Sequence, residues 1–188
     1  MKIRSLLEDP NVEQLNKIAA QLSQECEPYL SQLSDIENAR LYRGVKSNEI
    51  IHKLTPETNR QPTESSIDIH KQVDAWLMKN YGIAGRSQAV FATGDKSQAK
   101  SFGVAYSFFP IGPFSYVWSE SVHDLLSLEK DLKNKTEQEI DQILSERNYR
   151  TDNLNAAIQS GNEVMVKCES YYLVRDDIIE DLLYYRGL

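Results

Sequence analysis

Three stretches of the chain each deliver one polar residue from a short hydrophobic run. Leu41-Tyr42-Arg43-Gly44-Val45 carries Arg43 and breaks at Gly44; Ala89-Val90-Phe91-Ala92-Thr93-Gly94 ends on the hydroxyl of Thr93; Gly161-Asn162-Glu163-Val164-Met165-Val166 opens on Glu163. An arginine's planar fork matches phosphate oxygens. A glycine beside it lets a ligand approach the backbone. A carboxylate stabilises positive charge that develops as a glycosidic bond breaks, and it can help deprotonate an incoming nucleophile. Phe91, Phe102 and Tyr106 offer flat apolar walls for a ring. Each residue also has a plainer role open to it. Arg43 can be an ion-pair partner, Thr93 an ordinary strand end, and Glu163 an edge-strand charge that discourages aggregation. The aromatic residues can simply be core.

The elements that must position these residues follow from periodicity. Residues 10–34 read as a helix capped by Asp9, with Pro10 in its first turn and a bend or restart at Pro28. Its apolar stripe is Val12, Leu15, Ile18, Ala19, Leu22 and Cys26. Residues 40–45 form the first strand. Residues 46–66 are polar and proline-bearing and read as a long loop, of the kind that serves as a lid or binding loop. Arg60 lies in it, either solvated or within reach of a phosphate. A helix over 67–81 ends at Gly82, Gly85 is a turn, a strand covers 89–92, and Asp95 caps a short helix over 96–102. Residues 104–109 and 115–118 read as a hairpin joined by Pro110-Ile111-Gly112-Pro113. Residues 119–159 are helical, with a capping-box-like start at Thr136. Residues 163–174 are two adjacent strands, or one long strand broken at Glu169-Ser170, and Asp176 caps a last helix. Strands and helices do not alternate regularly, so the fold class is α+β with mostly antiparallel strands.

The bulk properties narrow the function classes. At 188 residues the chain reads as one domain. A net charge of −7 argues against broad, sequence-blind nucleic-acid binding, which needs a basic face. No stretch approaches the ~18 apolar residues of a membrane span, and the apolar run at Met1–Glu8 is too short for an export signal. A cytoplasmic protein with Cys26 and Cys168 as free thiols is expected. His52, His70 and His123 lack ligand-like spacing, so no metal is expected.

Leu41-Tyr42-Arg43-Gly44 resembles the first motif of the ADP-ribosyltransferase superfamily, in particular its Arg-Ser-Glu branch. Phe91-Ala92-Thr93-Gly94 followed by Asp95 to Phe102, with Ala99 and Gly103, is similar to the second motif. Asn162-Glu163-Val164 resembles the third. The resemblance is confined to these stretches within 40–175. It implies a mixed split β-sheet with an N-terminal cover helix (1–35), a catalytic core (40–175) and a C-terminal helix (176–188), with NAD bound in a central cleft. It gives Arg43 the contact to the NAD phosphate or ribose, Thr93 a hydrogen bond that orients Glu163, and Glu163 the catalytic role. Gly44, Phe91, Ala92 and Phe102 complete the expected NAD site.

The activity implied is transfer of ADP-ribose from NAD to a macromolecular acceptor with release of nicotinamide, in a compact protein similar to bacterial toxins and phage effectors. The second motif keeps one hydroxyl where the family usually has Ser-Thr-Ser. Gly161 stands where arginine-modifying members carry Gln or Glu. The acceptor is therefore open: a protein side chain, a nucleic acid or water, the last making an NAD glycohydrolase. An inhibitory partner protein is compatible with a toxin. The competing class is a non-catalytic adaptor or structural interaction module on the same fold.

Overall fold

The computed structural model describes residues 12–62 and 66–186. The Asp9 cap, Pro10 and the Met1–Glu8 run lie outside the described residues. The first helix is α1 (Val12–Glu25), which buries Leu15, Ile18 and Leu22 and leaves Val12 exposed. The chain restarts as α2 (Glu27–Leu30), with Pro28 in its first turn, where a missing N–H costs nothing.

The strands are β1 (Tyr42–Val45), β2 (Ile51–Leu54), β3 (Val90–Thr93), β4 (Val104–Ser119), β5 (Tyr149–Arg150) and β6 (Glu163–Arg175). They form a six-stranded sheet in the order β2-β6-β3-β1-β4-β5, with β6 also paired to β4. That extra pairing joins β6, β3, β1 and β4 into a closed ring, a small barrel within the sheet. Every pairing among the described residues is antiparallel, so strand directions are not mixed as expected. The first half of β6 lies beside β3 and its second half beside β2, while β4 runs along its other edge throughout.

Three further expectations about the strands are corrected. The hairpin at 104–118 is one continuous strand, β4, with an irregularity between Ile111 and Phe114 that holds Gly112 and Pro113. Beyond β1, which pairs with 104–107, that edge of β4 has no strand neighbour among the described residues until β5 at Trp118. Phe108 donates its N–H to Leu41 on that side, so Pro110, two residues on, points its missing donor where no ladder is needed. The loop 46–66 contains β2, a short edge strand opposite Tyr171–Val174. The run 163–175 is one unbroken strand, because β4 supports it across Glu169-Ser170.

The remaining helices are α3 (Ile67–Tyr81), α4 (Gly85–Gln88), α5 (Lys96–Lys100), α6 (Leu125–Leu132), α7 (Glu137–Ser145), α8 (Leu154–Ser160) and α9 (Asp176–Arg186). The turn expected at Gly85 is thus a short helix, and 119–159 contains the two-residue strand β5. Gly82 ends α3 in the left-handed conformation, and Thr136 opens α7 with a full capping box. Alternation along the strands sends side chains to two cores. Val164, Val166 and Trp118 join α1, α2, α8 and α9; Met165 and Val117 join α3, α6 and α7. No helix among the described residues is long and apolar enough to cross a membrane.

Candidate functional site

The ladder brings the three motif stretches together. Thr93 pairs with Tyr42 on one side and with Glu163 on the other, so residues far apart in sequence lie side by side at one end of the barrel. This end opens into a cavity of about 560 Å³, a size suited to a small ligand. Arg43, Gly44, Phe91, Ala92, Thr93, Phe102 and Glu163 all line it.

The segment leading into Glu163 is fixed residue by residue. Thr93 Oγ1 donates to the carbonyl of Gly161 at 2.6 Å and accepts from the N–H of Asp95 at 3.0 Å. Asn162 donates its side-chain amide to the carbonyl of Ser119 at 2.9 Å. Glu163 donates its N–H to the carbonyl of His123 at 2.8 Å. Thr93 thus acts on the turn before Glu163, through Gly161, rather than on the carboxylate. Gly161 caps α8 with φ +70°, a conformation that strains L side chains, which gives a local reason why Gln or Glu is not found there.

The carboxylate of Glu163 is engaged by a residue outside the three motifs. Arg86 Nη1 lies 3.1 Å from its Oε1, and both side chains are mostly buried. Burial raises the Glu163 carboxyl above the usual range; the charges of Arg86 and Arg60 oppose that rise, and Asp124 adds to it. Arg86 sits on α4, which is stitched in place from two sides. Asp74 accepts from the N–H groups of Arg86 and Ser87 and from the Ser87 hydroxyl. Arg60 donates to the carbonyls of Arg86 and Ala89.

Phe91 is surrounded by arginines. The guanidinium carbons of Arg60 and Arg86 lie 3.7 and 4.4 Å from its ring centroid, and Arg43 Nη1 donates to its carbonyl at 2.7 Å. Burial and the neighbouring Arg86 and Arg43 charges lower the affinity of Arg60 for its proton. Phe91 therefore serves the arginines, and the free apolar surface belongs to Phe102, 67% exposed, and Leu126 at the cavity wall. Tyr106 is fully buried and donates its hydroxyl to the carbonyl of Glu49, away from this wall. A Cβ on Gly44 would come within 2.0 Å of the Ala99 carbonyl, so the close approach at Gly44 is made by α5.

Sequence reading missed Arg86, His70, Gln98 and Asp124, which also line the cavity. Arg86 follows a glycine just before β3, but nothing in spacing links it to Glu163. His70 lies next to Ile69 on the buried side of α3; burial lowers its pKa, and its Nδ1 is buried without a partner. The arrangement can bind an anion on Arg43 and Arg86 and present one carboxylate to a neighbouring electrophilic carbon. Compared with known proteins, the chain matches no family model, no curated protein and no solved structure.

Proposed function

We propose that the protein is an NAD-dependent ADP-ribosyltransferase. The observation that carries this reading is the Tyr42–Thr93–Glu163 line across β1, β3 and β6, which gathers the three motif-like stretches around one cavity. Arg43 binds the diphosphate, and Phe102 supplies the wall for the nicotinamide ring. The bond between the ribose anomeric carbon and the pyridinium nitrogen breaks, and nicotinamide leaves neutral with the bonding pair. Glu163 stabilises the positive charge left on the ribose. An acceptor nucleophile then bonds to that carbon and loses its proton to Glu163 or to solvent. The setting as a toxin or phage effector is carried over from the resemblance alone, and the cytoplasmic location from the cysteine content and the short N-terminal apolar run.

The engagement of Glu163 by Arg86 favours a second reading, a non-catalytic binding module. Nicotinamide release from NAD by the purified protein, with and without cell lysate, separates the two. Release that depends on lysate supports the transferase, and release without it supports NAD hydrolysis. No release and no NAD binding would favour the module.

A further inference from the structure

Resting on the reading of the site above, we propose that Arg86 is a latch on Glu163: it holds the carboxylate in the free protein and passes to the diphosphate of an arriving dinucleotide, which frees Glu163 to face the ribose. Four observations carry this. Arg86 Nη1 is 3.1 Å from Glu163, within a wall where Arg43, Arg60 and Arg86 converge on Phe91. Glu163 is the carboxylate paired to Arg86 within that trio. Of the other acids at the cavity, Glu57 is exposed and Asp124 is engaged in capping α6. Arg86 Nε is buried without a partner, so the contact with Glu163 leaves part of the guanidinium's donor capacity unsatisfied in the free protein. The backbone of α4 is pinned by Asp74 and Arg60, so the exchange is a side-chain movement on a fixed base.

The exchange is electrostatically sensible. An arginine fork grips a phosphate in the bidentate fashion it uses for a carboxylate. A buried carboxylate that loses its counter-charge becomes a better base, which suits a group that must accept a proton during transfer. The groups that bear on Glu163 are Arg86 on α4, Arg60 before α3, His123 and Asp124 before α6, and Tyr149 on β5. Of these, Arg86 makes the direct contact. Arg86 is accordingly a positioning residue for Glu163 and a binding residue for the ligand.

The test is titration of the Glu163 carboxyl by NMR on 13C-glutamate-labelled protein, for wild type, Arg86→Gln and Arg86→Lys, each with and without ADP as the diphosphate probe. Circular dichroism and melting confirm that the variants fold. In the free proteins the Glu163 midpoint should move up in Arg86→Gln and return towards wild type in Arg86→Lys. ADP should raise the midpoint in wild type and raise it less in Arg86→Gln. ADP should also bind Arg86→Gln about tenfold to a hundredfold more weakly, the loss of one charge-assisted hydrogen bond. A midpoint unchanged by Arg86→Gln overturns the latch, as does ADP binding of equal strength in both proteins. These readouts need no turnover. A latch that fails while wild type releases nicotinamide leaves the transferase reading standing. A midpoint that responds as expected in a protein that never cleaves NAD refutes the transferase and keeps the latch.

Discussion

Thr93 holds Gly161 by a 2.6 Å hydrogen bond from its hydroxyl to the glycine carbonyl, two residues ahead of Glu163. The same hydroxyl accepts the N–H of Asp95, the residue that caps α5. One oxygen therefore ties the end of β3, the start of α5 and the turn into β6. Thr93 itself is 8% exposed.

Thr93→Val keeps the shape and leaves both partners unsatisfied. It should cost roughly 1–3 kcal/mol, the penalty for unpaired buried polar groups. Thr93→Ser should recover most of that. Chemical denaturation reads the stability, and nicotinamide release reads the effect on Glu163. If Thr93→Val matches wild type in both, the hydroxyl has no positioning role.

What the sequence made legible is the part fixed by local rules. α3 and its Gly82 stop, the capping box of α7 and the strands that carry Arg43, Thr93 and Glu163 all rest on periodicity and caps within a few residues. The misses have non-local causes. Pro110, Gly112 and Pro113 signal a turn, yet the strand continues because β6 supports one edge while no strand among the described residues pairs with the other edge there. β2 is hidden among prolines and polar residues because an edge strand of this length is defined by its partner. Arg86 was invisible for the same reason. Its meaning comes from β3 and β6 being neighbours, which places α4 against Glu163.

Gly44 faces the backbone of α5. A methyl group there would meet the Ala99 carbonyl at 2.0 Å and the Phe102 Cβ at 2.9 Å. Backbone atoms cannot swing aside, so Gly44→Ala must push α5 outward and carry Phe102 with it. The expected cost is about 1–3 kcal/mol of stability, with weaker NAD binding by calorimetry. Unchanged melting would show that α5 is free to yield.

Arg40 and Asp176 make a buried pair, both nearly inaccessible, at 2.7 Å. Arg40 also donates to Ser107 and to the carbonyls of Ile36 and Glu37, and Lys96 reaches the same carboxylate. Arg40→Ala should cost about 3 kcal/mol, because it takes the buried partner from a buried carboxylate and leaves only Ser107 and the partly exposed Lys96 to compensate it. Burial alone would raise the Asp176 carboxyl, but Lys96, Ser107 and Arg40 together hold it below the usual range. A carboxyl depressed in the fold stabilises above its unfolded value, and that stability is lost as pH falls through the folded value. Stability should therefore drop in the acid range below about 4, where an unfolded aspartate gains its proton. Asp176→Asn should flatten this drop in a pH series of melts while lowering stability at neutral pH. A wild-type drop that persists in the variant would assign it to other carboxylates.

Glu163 has the opposite sign. Burial raises its carboxyl in the fold against the pull of Arg86. Above the raised value the ionised carboxylate costs stability, and that cost fades as pH falls through the folded value towards the unfolded one. Glu163→Gln removes the charge and keeps an oxygen to accept from Arg86. At neutral pH it should melt at or above the wild-type temperature, and the gap should close in acid. Activity should go the other way. On the proposed transferase function, the loss of the carboxylate should lower nicotinamide release at least about a hundredfold, the scale seen when one preorganised electrostatic group is lost. A more stable and inactive variant is what a residue held for chemistry at the expense of the fold predicts. A variant that melts lower at neutral pH and still releases nicotinamide would make Glu163 a structural anchor for Arg86 and remove it from the mechanism.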